Sequence, residues 1–133
     1  MAGDPTAPIA VAAAIIVRRG RYLIAQRRAD AALGGLWEFP GGKCRVGETM
    51  EQCLEREILE ELGVRVTVRS LERRLRHAYD HGLIDLHFYR CDLAEGEPAP
   101  LGCQALRWVA PDELPAYAFP PANRPLIDEL SRR

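Results

Sequence analysis

Apolar positions along the chain fall into short blocks whose period changes from continuous, to alternating, to helical, and each change marks an element. Ile9 to Val17 is unbroken apolar sequence rich in Ile, Val and Ala, the pattern of a strand covered on both faces. Arg18-Arg19-Gly20 turns the chain, so Arg21 to Arg27 is expected to pair back as a hairpin. Arg28 to Leu36, with Gly34-Gly35, reads as a loop. Trp37-Glu38-Phe39-Pro40 is extended, because Pro40 biases Phe39 away from helix. A helix then opens at Thr49: Thr49 and Gln52 form a capping box, Leu54, Ile58 and Leu62 share one face, and Gly63 stops it. Val64 to Val68, Leu71 to Tyr79, Leu83 to Asp92 and Gln104 to Val109 are expected strands, with a hairpin turn at Asp80-His81-Gly82. Glu95 to Gly102 is a loop and Asp112 to Leu114 a helical turn. Arg124 to Arg132 is a last helix that buries Leu126, Ile127 and Leu130. Met1 to Pro8 is a frayed arm. Strands before, between and after two helices imply an α+β layered fold with a mixed sheet.

Composition narrows the picture. The 133 residues are 47% hydrophobic and 28% charged, ordinary values for one globular domain spanning 1–133, able to bury roughly two-thirds of its unfolded surface. A formal net charge of −1 leaves no general basic field, so direct nucleic-acid binding is not expected and an anionic ligand must be gripped locally. The apolar run from Ile9 is too short to span a bilayer and no basic leader precedes it. Cys44, Cys53, Cys91 and Cys103 lack CxxC spacing and a zinc-finger histidine. They read as reduced thiols of a cytoplasmic protein.

The helix carries the chemistry. Glu57, Glu60 and Glu61 stand at i, i+3 and i+4, and like charges at these spacings repel. Such a group is either a solvated acidic face or a seat for a hard divalent cation, which prefers oxygen ligands. Gly42, Glu48 five residues on, Arg56-Glu57-Ile58 seven further, then Glu60-Glu61, Gly63 and Val64 fill every specified position of a pattern that resembles the Nudix box.

That resemblance implies an α/β/α sandwich, a Mg²⁺ cofactor with Mn²⁺ as a substitute, and hydrolysis of a phosphoanhydride. It implies Glu57 and Glu61 as central metal ligands, Glu60 assisting, Glu57 or a neighbour as base, and the Gly41 carbonyl as a further ligand. Arg56 would orient the cluster, although an ordinary ion pair with Glu60 explains it equally. Glu48 would brace the loop or touch metal through water. Trp37 to Lys43, Arg27 and Phe119-Pro120-Pro121-Ala122-Asn123 extend the resemblance to MutT-type 8-oxo-dGTP diphosphatases. The substrate so implied is a nucleoside triphosphate cut to monophosphate and pyrophosphate. Asn123 would read a purine edge, since its amide both donates and accepts, or merely cap the last helix. Phe39 would line the base pocket or belong to the core. Arg27 would reach a phosphate or remain a solvated charge. Two departures stand out. Gly102 occupies the place of a late metal-binding glutamate, for which Glu95, Glu97 and Asp85 are the candidate substitutes, and the tip at residues 80–82 lacks an arginine. The expected rivals are a CTP or broad nucleoside diphosphate-X hydrolase, and a non-catalytic nucleotide-binding Nudix module. A monomer or weak dimer is expected.

Overall fold

The computed structural model of the chain describes residues 7–79 and 82–133. The expected turn at Asp80 and His81 and most of the N-terminal arm lie outside these. Seven strands are formed, β1 (Ile9–Arg18), β2 (Arg21–Gln26), β3 (Trp37–Glu38), β4 (Gly41–Lys43), β5 (Arg65–Tyr79), β6 (Gly82–Glu95) and β7 (Ala105–Val109). Helix α1 is Met50–Leu62 and α2 is Arg124–Ser131.

The strand order is β3-β2-β1-β6-β5, with β4 paired to β1 and β7 paired to β2. β1 runs parallel to β6, from Ile9 opposite Ile84 to Ile16 opposite Cys91, while its pairings with β2 and β4 are antiparallel. The sheet is therefore mixed. Side chains alternate across it. Ala12, Ala14 and Ile16 face a core completed by Leu54, Ile58 and Leu62 of α1. Ala13 and Ile15 face a second core closed by Leu126, Ile127 and Leu130 of α2. Helix, sheet and helix make the three expected layers.

Two expectations change. Val64–Val68 and Leu71–Tyr79 are not separate strands but parts of one β5, whose register against β6 shifts between Val68 and Leu71 and again between Leu71 and Arg73. Each shift interrupts the alternation, so the sequence pattern breaks where the strand does not. The second change concerns the thiols. Cys44 and Cys53 are joined in a disulfide, with Cα atoms 5.1 Å apart, while Cys91 and Cys103 are free and buried. The bond ties the end of β4 to the first half of α1, a proximity that exists only once helix packs on strand.

The join between β4 and β1 fixes the site. A Cβ on Gly41 would overlap the Ala12 carbonyl oxygen and lie 2.7 Å from the Ala13 Cα. Only glycine lets β4 approach β1 here.

Candidate functional site

Helix α1 begins and ends as its caps dictate. The Thr49 hydroxyl accepts from the Gln52 N–H at 3.0 Å, and the Gln52 side chain accepts from the Thr49 N–H at 3.0 Å. At the other end Gly63 takes a left-handed backbone, φ 69°, and donates to the Leu59 carbonyl. The N–H groups of Leu101 and Gly102 both donate to the Glu61 carbonyl at 3.0 Å. The rigid helix therefore holds its acids at a fixed height beside β4 and the loop before β7.

Arg56 is the hub of the polar side. Its Nε and Nη2 donate to both oxygens of Glu48, at 2.6 and 2.9 Å. Its Nη1 donates to Glu57 at 2.9 Å and Glu60 at 3.2 Å, and Nη2 also reaches the Lys43 carbonyl. The planar fork suits this bidentate work. Arg56 and the Arg45 N–H hold the Glu48 carboxyl down to about 2. Glu48 thus braces the loop, and Arg56 is far more than an i,i+4 surface pair. Gly42 abuts the same group, because a Cβ there would overlap the Glu57 carboxylate.

Glu61 differs from its neighbours. Burial first, then the charges of Glu38 and Glu57, push its carboxyl up to about 8, partly offset by the Gly41 N–H and by Arg27. Glu60 is half exposed and also faces Arg45 at 3.7 Å. Among the described residues no three His, Cys, Asp or Glu side chains form a ready-made metal cage. Glu61 supplies the observation that favours a small hard cation: burial first, then the charges of Glu38 and Glu57, work against its ionised form, and a cation there would offset that charge.

A cavity of about 670 Å³ opens beside these residues and is lined by Arg27, Glu38, Gly41, Gly42, Glu61 and Asn123. Phe39 is both core and wall. It is 4% exposed, packs edge-on against Phe88 and tilted on Phe119, and lines the cavity. Asn123 is 7% exposed, makes no side-chain capping bond, and keeps a buried Oδ1 without a partner. The capping alternative therefore has no bond to support it. Arg27 is engaged rather than solvated. Its Nε donates to the Ala32 carbonyl at 2.7 Å and its Nη1 to Glu38 at 2.9 Å.

Of the three proposed substitutes for the late glutamate, two are paired elsewhere. Glu97 pairs with Arg18 and is 72% exposed, Asp85 is clamped by Arg74 with His87 beside it, and Glu95 is exposed where β6 ends. Glu38 escaped the sequence reading. Its signal was slight: one acid between two aromatic residues in a two-residue strand.

A sequence profile of the NUDIX domain matches residues 11–129. The chain belongs to the NUDIX domain family. The relatives are of the MutT type, and this Nudix protein is a hydrolase acting on phosphoanhydride bonds. It is 39% identical over 120 residues to the CTP pyrophosphohydrolase of Escherichia coli K12, covering 90% of this chain and 89% of the relative. It is 40% identical over 109 residues to the 8-oxo-dGTP diphosphatase of the same organism, covering 82% and 84%. The solution structure of the E. coli ORF135 protein superposes with a TM-score of 0.79 at 38% identity, covering 90% and 86% of the two chains. The MutT Nudix hydrolase of Burkholderia pseudomallei gives 0.82 at 31% identity, covering 92% and 97%.

Among the described residues no helix is long and apolar enough to cross a membrane.

Proposed function

We propose that this Nudix hydrolase cleaves nucleoside triphosphates, 8-oxo-dGTP among them, to the monophosphate and pyrophosphate with Mg²⁺, and so cleans the nucleotide pool. Mn²⁺ serves as a substitute ion. The protein works in the cytoplasm as one domain, alone or as a weak dimer.

The observation that carries this reading is one cavity lined both by Glu61, Gly41 and Gly42 and by Phe39 and Asn123, whose buried Oδ1 has no partner among the described residues. An unpaired amide oxygen in a nine-tenths buried place costs about 1–3 kcal/mol. A base edge that donates a hydrogen bond removes that cost. Phe39 supplies the apolar wall against which a planar base packs.

The cation, when bound, offsets phosphate charge and raises the acidity of a coordinated water. Glu57, Glu60 and Glu61 with the Gly41 carbonyl are the residues that would hold it. Arg56 fixes Glu57 in place through the 2.9 Å bond and is itself fixed by Glu48. Glu57 takes the proton from the attacking water in this reading, and Glu60, half exposed, assists. Arg27 is within the cavity wall to meet a phosphate once its loop contact yields.

The test is pyrophosphate release across a panel containing 8-oxo-dGTP, the four dNTPs and CTP with Mg²⁺. Preferential cleavage of the oxidised purine supports the reading. A preference for CTP moves the protein to the reading suggested by its E. coli CTP pyrophosphohydrolase relative. Binding without cleavage makes it a nucleotide-binding module.

A further inference from the structure

The site lacks an acid where Gly102 stands, and another acid, Glu38, lines the cavity that Glu61 lines. Gly102 is pressed against Glu61: a Cβ there would be 3.1 Å from the Glu61 Cγ and 3.3 Å from its Cα. No side chain enters at this position unless Glu61 moves.

Glu38 lines the same cavity as Glu61. It is paired with Ala25 of β2, and cross-strand partners present their side chains to the same face of a sheet. Ala25 belongs to the core beneath α1, so Glu38 projects toward α1. Trp37 and Phe39, its neighbours, pack on the α2 side.

Asn123 lines the cavity with a buried oxygen that nothing among the described residues satisfies, which points to a ligand there. We propose that Glu38 supplies the carboxylate that Gly102 cannot, as a ligand of the divalent cation held by Glu57 and Glu61. This rests on the metal-dependent hydrolase reading given above and adds a residue to it. Arg27 bonds the Oε2 of Glu38 at 2.9 Å. It therefore holds the carboxylate ready while competing with the cation for its charge.

That competition gives the test opposite signs. Mn²⁺ is titrated into the metal-free protein and free ion followed by electron paramagnetic resonance, with no substrate present. Glu38→Gln is expected to weaken Mn²⁺ binding by about tenfold or more. Arg27→Gln, which releases the carboxylate, is expected to leave binding unchanged or tighten it. If Glu38 served only to anchor Arg27, both variants would raise KM alike and neither would change Mn²⁺ affinity; that result overturns the proposal. Should Glu38→Gln fail to fold, Glu38→Asp, which keeps the charge and shortens its reach by one methylene, reads the same contact. Weakened Mn²⁺ binding by that variant supports the proposal, and unchanged Mn²⁺ affinity overturns it. A wild-type chain that neither binds Mn²⁺ nor hydrolyses a nucleotide defeats the functional reading instead.

Discussion

Glu61 makes the metal-free protein less stable as pH rises. Its carboxyl ionises around 4.5 in an open chain and around 8 in the fold. Below pH 4.5 it is protonated in both states and contributes no penalty. Between 4.5 and 8 the unfolded chain releases the proton while the folded one keeps it, so stability falls with pH and the loss is complete above 8. At about 1.4 kcal/mol for each unit of pH, the full loss is about 4 to 5 kcal/mol as an upper figure. For a chain of this size that is a fall in Tm of roughly 10–15 °C. Glu61→Gln keeps an acceptor for the Gly41 N–H and cannot ionise, so its Tm should stay flat over the same range. The assay is thermal unfolding in EDTA from pH 4.5 to 9, reading wild type minus variant. Adding Mg²⁺ should restore wild type most at high pH, because the ion binds the ionised form. A difference that does not change with pH would show that Glu61 is not under the charge pressure described, and the case for a cation there would weaken.

Other substitutions probe the remaining parts. Gly42→Ala forces the Glu57 carboxylate off Arg56, so hydrolysis should drop by about a hundredfold with a stability loss of about 1–3 kcal/mol; unchanged turnover would show that the close approach is irrelevant. Asn123→Ala should shift the kcat/KM ratio between purine and pyrimidine substrates by about tenfold while Tm barely moves, since no capping bond is lost; a Tm fall with unchanged preference reverses the assignment. Reducing the Cys44–Cys53 bond opens a loop with a sequence separation of 9 and should cost about 2–3 kcal/mol, read as a lower Tm in dithiothreitol that Cys44→Ser does not show.

Helix α1 was the most legible part of the molecule. Its limits at Thr49 and Gly63 follow from local bonds that the residue types themselves specify, and the structure places both caps as the spacing requires. The strands were legible where alternation was unbroken. β5 was split because its register shifts occur between Val68 and Arg73, where partners on β6 rather than local preference hold the strand together. The long-range features were hidden for a related reason. By spacing Arg56 had only Glu60 as an acidic partner, and the role of orienting the cluster came from the resemblance, since its two bonds to Glu48 depend on how the loop folds back over the helix. The joining of Cys44 to Cys53 needs α1 already packed on β4. Glu38 carries no motif signal, and its place on the cavity that Glu61 lines comes from sheet pairing. The buried oxygen of Asn123 likewise required a cavity before it meant anything.

The central claim is that the α1 carboxylates turn over a phosphoanhydride rather than merely hold a nucleotide. Its most direct test is single-turnover pyrophosphate release by wild type and Glu57→Gln at saturating Mg²⁺, with nucleotide affinity measured in parallel. The account predicts rapid release by wild type, and a loss of about a thousandfold or more in the variant with nucleotide binding kept. Equal rates in the two proteins, or no release by either, would contradict it.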